Sequence, residues 1–213
     1  MGLHRYCVLL AVVAFVAVLF QGAMGGLAAF YGLPNSLDIL LACAAQLFFA
    51  LAAASTAFTS PAWRGQTLAL EDTGFPPLRV LAAAVPVAVL AQAALGAAYR
   101  HGALGLMPHV AGALLVTGLI LVVSMIILTQ FGQQPVLAKP AKRLLVIALH
   151  QVVLGVLAYV LRIITDGAGR SGWLVAFAAV AHVAVGALTM GTGVILAVQV
   201  WRHVHPPEPE ITR

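Results

Sequence analysis

The stretch Gln92–Ala113, QAALGAAYRHGALGLMPHVAGA, joins two long apolar runs across a short turn. No Asp, Glu, Lys or Arg occurs between Arg79 and Arg100, and none between Arg100 and Lys139. Each gap is at least the length of about 20 residues that a helix needs to cross roughly 30 Å of hydrocarbon. Reading this stretch as a helix, a turn and a returning helix therefore makes it a transmembrane pair. It also puts polar, aromatic and imidazole groups among glycines at membrane depth. An imidazole in hydrocarbon is costly unless partnered, so His109 marks a candidate functional site.

Outward from this pair the pattern repeats. The 213 residues are 62% hydrophobic and 8% charged, with mean hydropathy +1.05. A soluble domain carries about a quarter of its residues as charges. Further charge-free runs lie between Arg5 and Asp38, Asp38 and Arg64, Arg143 and Arg162, and Arg170 and Arg202. Six transmembrane helices are expected, near 6–30, 38–59, 79–98, 107–131, 144–163 and 173–201. They form one all-α bundle over 1–202, built from hairpins 6–59, 79–131 and 144–201. Residues 203–213 read as a disordered cytoplasmic tail.

The net charge of +5 is a topology signal and not a nucleic-acid signal. Arg5, Arg64, Arg79, Lys139, Lys142, Arg143, Arg202 and Arg213 fall on one side of such a bundle, and Arg100, Arg162 and Arg170 on the other. That bias puts both termini in the cytoplasm and predicts a multi-pass protein of a bacterial-type inner or plasma membrane. The lipid bilayer is then the first partner. Other membrane subunits and a second copy of the chain are further candidates.

Cys7 and Cys43 lie in predicted spans and form no CxxC motif, so no disulfide is expected. No glycine-rich phosphate loop, GxSxG, HExxH or carboxylate pair is present. Chemistry must come from elsewhere. The pattern Gln-x-x-(Leu/Met)-Gly recurs at Gln21, Gln92 and Gln151, with a Tyr following each time. These are the odd-numbered helices, so the chain reads as one hairpin used three times. Internal repeats in membrane proteins commonly frame a site between copies.

Of the seven histidines, His4, His203 and His205 flank the membrane, His101 occupies a turn, and His150 reads as a side chain bonded to a neighbouring helix. His109 and His182 stand apart. His109 lies 22 residues before Phe131 and His182 lies 20 before Arg202, so the two share a depth in helices of the same direction. Gly112 and Gly186 follow them on the same helical faces. Two readings stay open. A haem between two histidines needs glycines such as Gly96, Gly112, Gly155 and Gly186 where the macrocycle meets backbone, with Arg100, His101, Tyr99, Arg162 and Arg170 near its propionates. Alternatively, small residues and histidines simply knit helices together. Zinc fits less well, because no third or fourth ligand clusters at that depth.

The segments LGAAYRHGALGLMPHVAGA, QVVLGVLAYVLR with AHVAVGAL, and QGAMGGLAAFYGLP with AQLFFALAAASTAFTSPAW resemble the haem A synthase family of cytochrome-oxidase assembly proteins. The resemblance covers most of residues 15–202. It implies a bundle in two pseudo-symmetric halves of two hairpins each, with each half able to hold haem through two histidines. It also implies a b-type haem in the C-terminal half, on His109 and His182. The chain departs from that pattern in having three hairpins. Leu41 stands where a histidine is expected before AQLFF, and the family's outer-loop acidic residue and cysteine pair are absent. The resemblance thus implies one surviving haem b site without the catalytic one. The expected role is haem handling or electron transfer for oxidase assembly, or a haem subunit of a respiratory complex. An active haem A synthase, alone or completed by a partner chain, is the alternative. A haem-free scaffold or transporter is the second alternative.

Overall fold

A computed structural model describes residues 3–32, 34–167 and 172–207. Among these, six helices are long and apolar enough to cross a membrane: α1 Leu3–Tyr31, α2 Asn35–Thr59, α4 Leu78–Arg100, α5 Leu106–Gln130, α6 Pro135–Gly167 and α7 Trp173–His203. Their most apolar windows have mean hydropathies of 2.0 to 2.7. A short helix α3 (Pro61–Arg64) and two two-residue strands, β1 (Leu70–Glu71) and β2 (Val204–His205), complete the elements. By length and composition this is a multi-pass membrane chain.

Local chemistry sets the boundaries. Pro34 and Pro77 stand immediately before α2 and α4, and Pro135 opens α6, where a missing N–H costs nothing. Ser60 ends α2 and caps α3, its Oγ accepting from the Trp63 amide at 3.2 Å. The turn after α4 passes through Gly102 at φ +72°, a left-handed value that a side chain resists. Pro86 lies within α4, which continues through it to Arg100.

Helix α7 organises the bundle, packing against α6, α4 and α2, while α4 also packs on α5 and α2. Two glycines permit this closeness. A Cβ at Gly191 would meet the Phe49 ring of α2 at 2.7 Å, and one at Gly193 would meet Val85 of α4 at 3.1 Å. The core comprises Leu78, Val85, Ile120, Val123, Ile127, Leu137, Leu144, Met190, Leu196 and Val200. Helix α1 packs against α2, and no residue of its most apolar window is buried. Its exposed leucines, valines and phenylalanines present an apolar surface of the kind that faces lipid.

Two expectations need correction. The expected fifth transmembrane helix spans 144–163, but α6 already begins at Pro135. Leu137, Ala138, Ala141 and Leu144 are buried on one face, and Lys139, Lys142 and Arg143 lie on the other. This amphipathic stretch is two helical turns, not loop. At about 1.5 Å per residue, the 33 residues of α6 run about 50 Å, longer than the hydrocarbon core. The segment from residue 203 is not disordered at its start. Val204 and His205 pair in parallel with Leu70 and Glu71, and His203 is buried, its Nδ1 accepting from the Leu68 amide at 3.0 Å. Residues 208–213 lie outside the described residues.

Candidate functional site

The helix pair α4–α5 brings Gln92, Gly96 and His109 together. From α4, the Gln92 Nε2 donates to the His109 carbonyl at 2.8 Å and lies 3.0 Å from the His109 Nδ1. Gly96, one turn after Gln92, faces the same imidazole, and a Cβ there would meet its Cε1 at 2.9 Å. Gly112 receives the Gln92 Oε1, in the space its own side chain would fill. The pattern Gln-x-x-x-Gly thus puts an amide and a gap on one helical face, which is where the next helix delivers its histidine.

Helices α6 and α7 repeat the arrangement. Gln151 and Gly155 on α6 face His182 on α7, with the Gln151 Nε2 at 3.3 Å from the His182 Nε2. Here His182 Nδ1 donates to the main-chain carbonyl of Gln151 at 3.0 Å. A Cβ at Gly155 would meet the His182 Cε1 at 2.9 Å, and one at Gly186 would meet the Gln151 amide at 3.2 Å. On α1, Gln21 donates to the carbonyl of Leu41 on α2 at 3.1 Å, and no imidazole is present. All four glycines singled out in the sequence therefore lie at this site, each filled by an imidazole or an amide.

The two imidazoles meet between the pairs. Their ring centroids are 6.3 Å apart, with planes inclined at 82°. Two rings sharing one metal, each bonded at about 2.0 Å with the ring centre about 1.2 Å further on, would have centroids about 6.4 Å apart. Both rings are half-buried. Tyr99 lies parallel to His109, centroid to centroid 6.5 Å and inclined 9°, and Arg162 of α6 reaches over Tyr99 at 5.5 Å. Among the described residues no group of three His, Cys, Asp or Glu is placed to hold a metal ion. Two imidazoles alone fall short of the four ligands of a tetrahedral ion.

Other candidates fall elsewhere. His101 ends α4 and turns towards α2: its Nδ1 is 3.4 Å from the Asp38 carboxylate, and its carbonyl accepts from Asn35 at 2.8 Å. Arg100 is exposed. His150 donates through Nδ1 to Val146, four residues back on its own helix, not to a neighbouring one. Arg170 lies outside the described residues. Sequence reasoning found Gln92 and Gln151 as repeat markers but missed that they hold the histidines. The available signal was their position one turn before the glycines. Gln92 Oε1 and Gln151 Oε1 are both buried without a hydrogen-bond partner. Comparisons of the chain with protein-family models, curated proteins and solved structures find no match.

Proposed function

We propose that this chain is a membrane protein of three helix hairpins, with both termini cytoplasmic, that binds one b-type haem through His109 and His182 for electron transfer or haem handling. The observation that carries the reading is the pair of imidazoles 6.3 Å apart and nearly perpendicular, each delivered by a different helix pair. A centroid separation of that size is compatible with two imidazoles holding one metal between them. A bound haem would supply a one-electron couple. The chain's own groups supply the rest. His182 Nδ1 is already held by the Gln151 carbonyl, leaving Nε2 as the ligating atom. Arg162 and Tyr99 lie beyond His109 on the side where a cation would neutralise acidic substituents. Three glutamines in equivalent places, Gln21, Gln92 and Gln151, support the threefold hairpin repeat. The resemblance to the haem A synthase family is part of the same proposal. Leu41 opposite Gln21 supports a single site over two.

A second reading has its own support. Both imidazoles already bond across their helix pair to a glutamine, as expected of a haem-free scaffold knitted by polar clasps. One preparation separates the two. Protein purified from haem-replete cells should show the reduced-minus-oxidised spectrum of a six-coordinate b-type haem, lost in His109→Ala and in His182→Ala. A colourless preparation would leave only the clasp. Conversion of haem O to haem A by the chain alone would replace the electron-transfer role with the enzymatic one.

A further inference from the structure

The end of the bundle where α4 starts and α7 stops gathers two arginines that the chain supplies with no anion. Arg79 is the second residue of α4, and Arg202 stands one residue before the end of α7. The Arg79 guanidinium lies over the Trp201 ring at 5.2 Å, and that of Arg202 over the Trp63 ring at 4.4 Å. Backbone oxygens fix both in place. Arg79 donates through Nη2 to the Trp201 carbonyl at 2.9 Å, and the same nitrogen lies 2.8 Å from His205 Nδ1. Arg202 donates through Nη2 to the Gly65 carbonyl at 2.8 Å. A guanidinium is a planar fork of N–H donors, so each has donors to spare, and the Nε of each is buried without a hydrogen-bond partner. The ordinary partner of an arginine held this way is a carboxylate, and among the described residues neither arginine pairs with one. Asp72 is buried with its two oxygens taken by the Gly74 and Leu78 amides, and Glu71 is exposed on β1 without an ion pair. Arg64, exposed on the adjoining α3, adds a further positive charge.

We propose that this end of the bundle binds a phosphate-bearing anion, held by Arg79 and Arg202 against Trp201. The guanidinium fork matches the spacing of phosphate oxygens, and a side chain already stacked on an indole has little freedom left to lose on binding. Two sources supply such a group: the headgroup of an acidic phospholipid, and free inorganic phosphate. The apolar side of the site favours the lipid. Val80 and Trp201, the chain neighbours of Arg79 and Arg202, are both exposed, and acyl chains lying along them would leave the phosphate at the guanidiniums. A tryptophan beside a cation at the end of a span sits at headgroup level, and acidic headgroups gather where basic residues cluster. The site stands apart from the haem reading. Twenty residues of α7, about 30 Å at about 1.5 Å per residue, separate Arg202 from His182.

The test is native mass spectrometry of the detergent-solubilised full chain, titrated with phosphatidylglycerol, phosphatidylcholine or inorganic phosphate. The wild-type protein should retain one phosphatidylglycerol per chain in preference to phosphatidylcholine. Arg79→Gln and Arg202→Gln should each weaken that binding at least about tenfold, the lower end for losing a hydrogen bond to a charged group. Arg143→Gln removes the same charge from an exposed position of α6 and should keep the wild-type affinity. Inorganic phosphate that displaces the lipid with the same dependence on Arg79 and Arg202 supports the site with free phosphate as its source. Phosphate without effect on a retained phosphatidylglycerol supports it with the lipid as its source. Equal losses in all three variants would reduce the binding to general attraction between charges and overturn the proposal. If the Arg79→Gln and Arg202→Gln proteins do not fold, the wild-type titrations decide. A preference for phosphatidylglycerol, or binding of phosphate, sustains the site, whereas equal retention of the two lipids with no binding of phosphate overturns it.

Discussion

Two glycines, Gly96 and Gly155, decide how close two imidazoles come to their neighbouring helices. In a helix interior a change from Gly to Ala ordinarily adds about 0.5–1 kcal/mol of stability by removing backbone freedom from the unfolded chain. At Gly96 and Gly155 the sign reverses, because the new Cβ would lie 2.9 Å from an imidazole carbon. Overpacking of this kind costs about 1–3 kcal/mol, and the ring rotates away to relieve it. Gly96→Ala and Gly155→Ala should therefore lower the thermal midpoint of the detergent-solubilised protein and, if the proposed haem is bound, abolish its bis-imidazole spectrum. Gly118→Ala, where a Cβ would meet nothing within 4 Å, should leave the spectrum unchanged and raise the midpoint slightly. The histidines and glycines of this site were legible in the sequence as recurrent spacing. The hydrogen bonds were not, because they depend on how far each helix is rotated about its axis, which a lipid-facing surface of Ala, Val and Leu leaves unspecified.

Elements begin and end where side chains satisfy the first-turn amides, and Asp72 does this for α4 from outside the helix. Its carboxylate accepts from the Leu78 amide at 2.6 Å and from the Gly74 amide at 3.0 Å, and the residue is buried. Asp72→Ala leaves two donors short of a partner and should cost about 1–3 kcal/mol. Hydrogen exchange at Leu78 should accelerate by the corresponding factor, while exchange in the middle of α5 is unchanged. The same scale shows why the start of α6 escaped the sequence reading. Lys139, Lys142 and Arg143 read as a basic loop when hydropathy is averaged. Buried Leu137, Ala141 and Leu144 identify a helix only when read at helical spacing. Helix α7 meets α2 closely at Gly191, where a Cβ would lie 2.7 Å from the Phe49 ring. Gly191→Val should part α2 from α7 at Phe49 and lower the denaturation midpoint in mixed micelles.

At the scale of the whole molecule, the six spans were legible from charge-free runs alone, since hydrocarbon thickness fixes their length. Orientation is a separate matter and rests on eight basic residues against three. Single cysteines at Thr67 and Ala103 read it directly. In intact cells an impermeant maleimide should label Ala103→Cys, whereas Thr67→Cys should react only after permeabilisation. Labelling in the opposite order would invert the topology. Around Thr67 a compact assembly joins distant parts of the chain. Arg202 donates to the Gly65 carbonyl at 2.8 Å and stacks on Trp63, while Arg79 donates to the Trp201 carbonyl at 2.9 Å. The strand pair β1–β2 closes it. None of this was legible, because a two-residue strand has no sequence period to betray it. β2 follows α7, so during synthesis the Leu68 amide and the Arg79 guanidinium lack their partners on α7 and β2 until the sixth span has left the translocon. Fastening this loop therefore waits on α7 and β2, and protease resistance between α3 and α4 would report that the sixth span is in place.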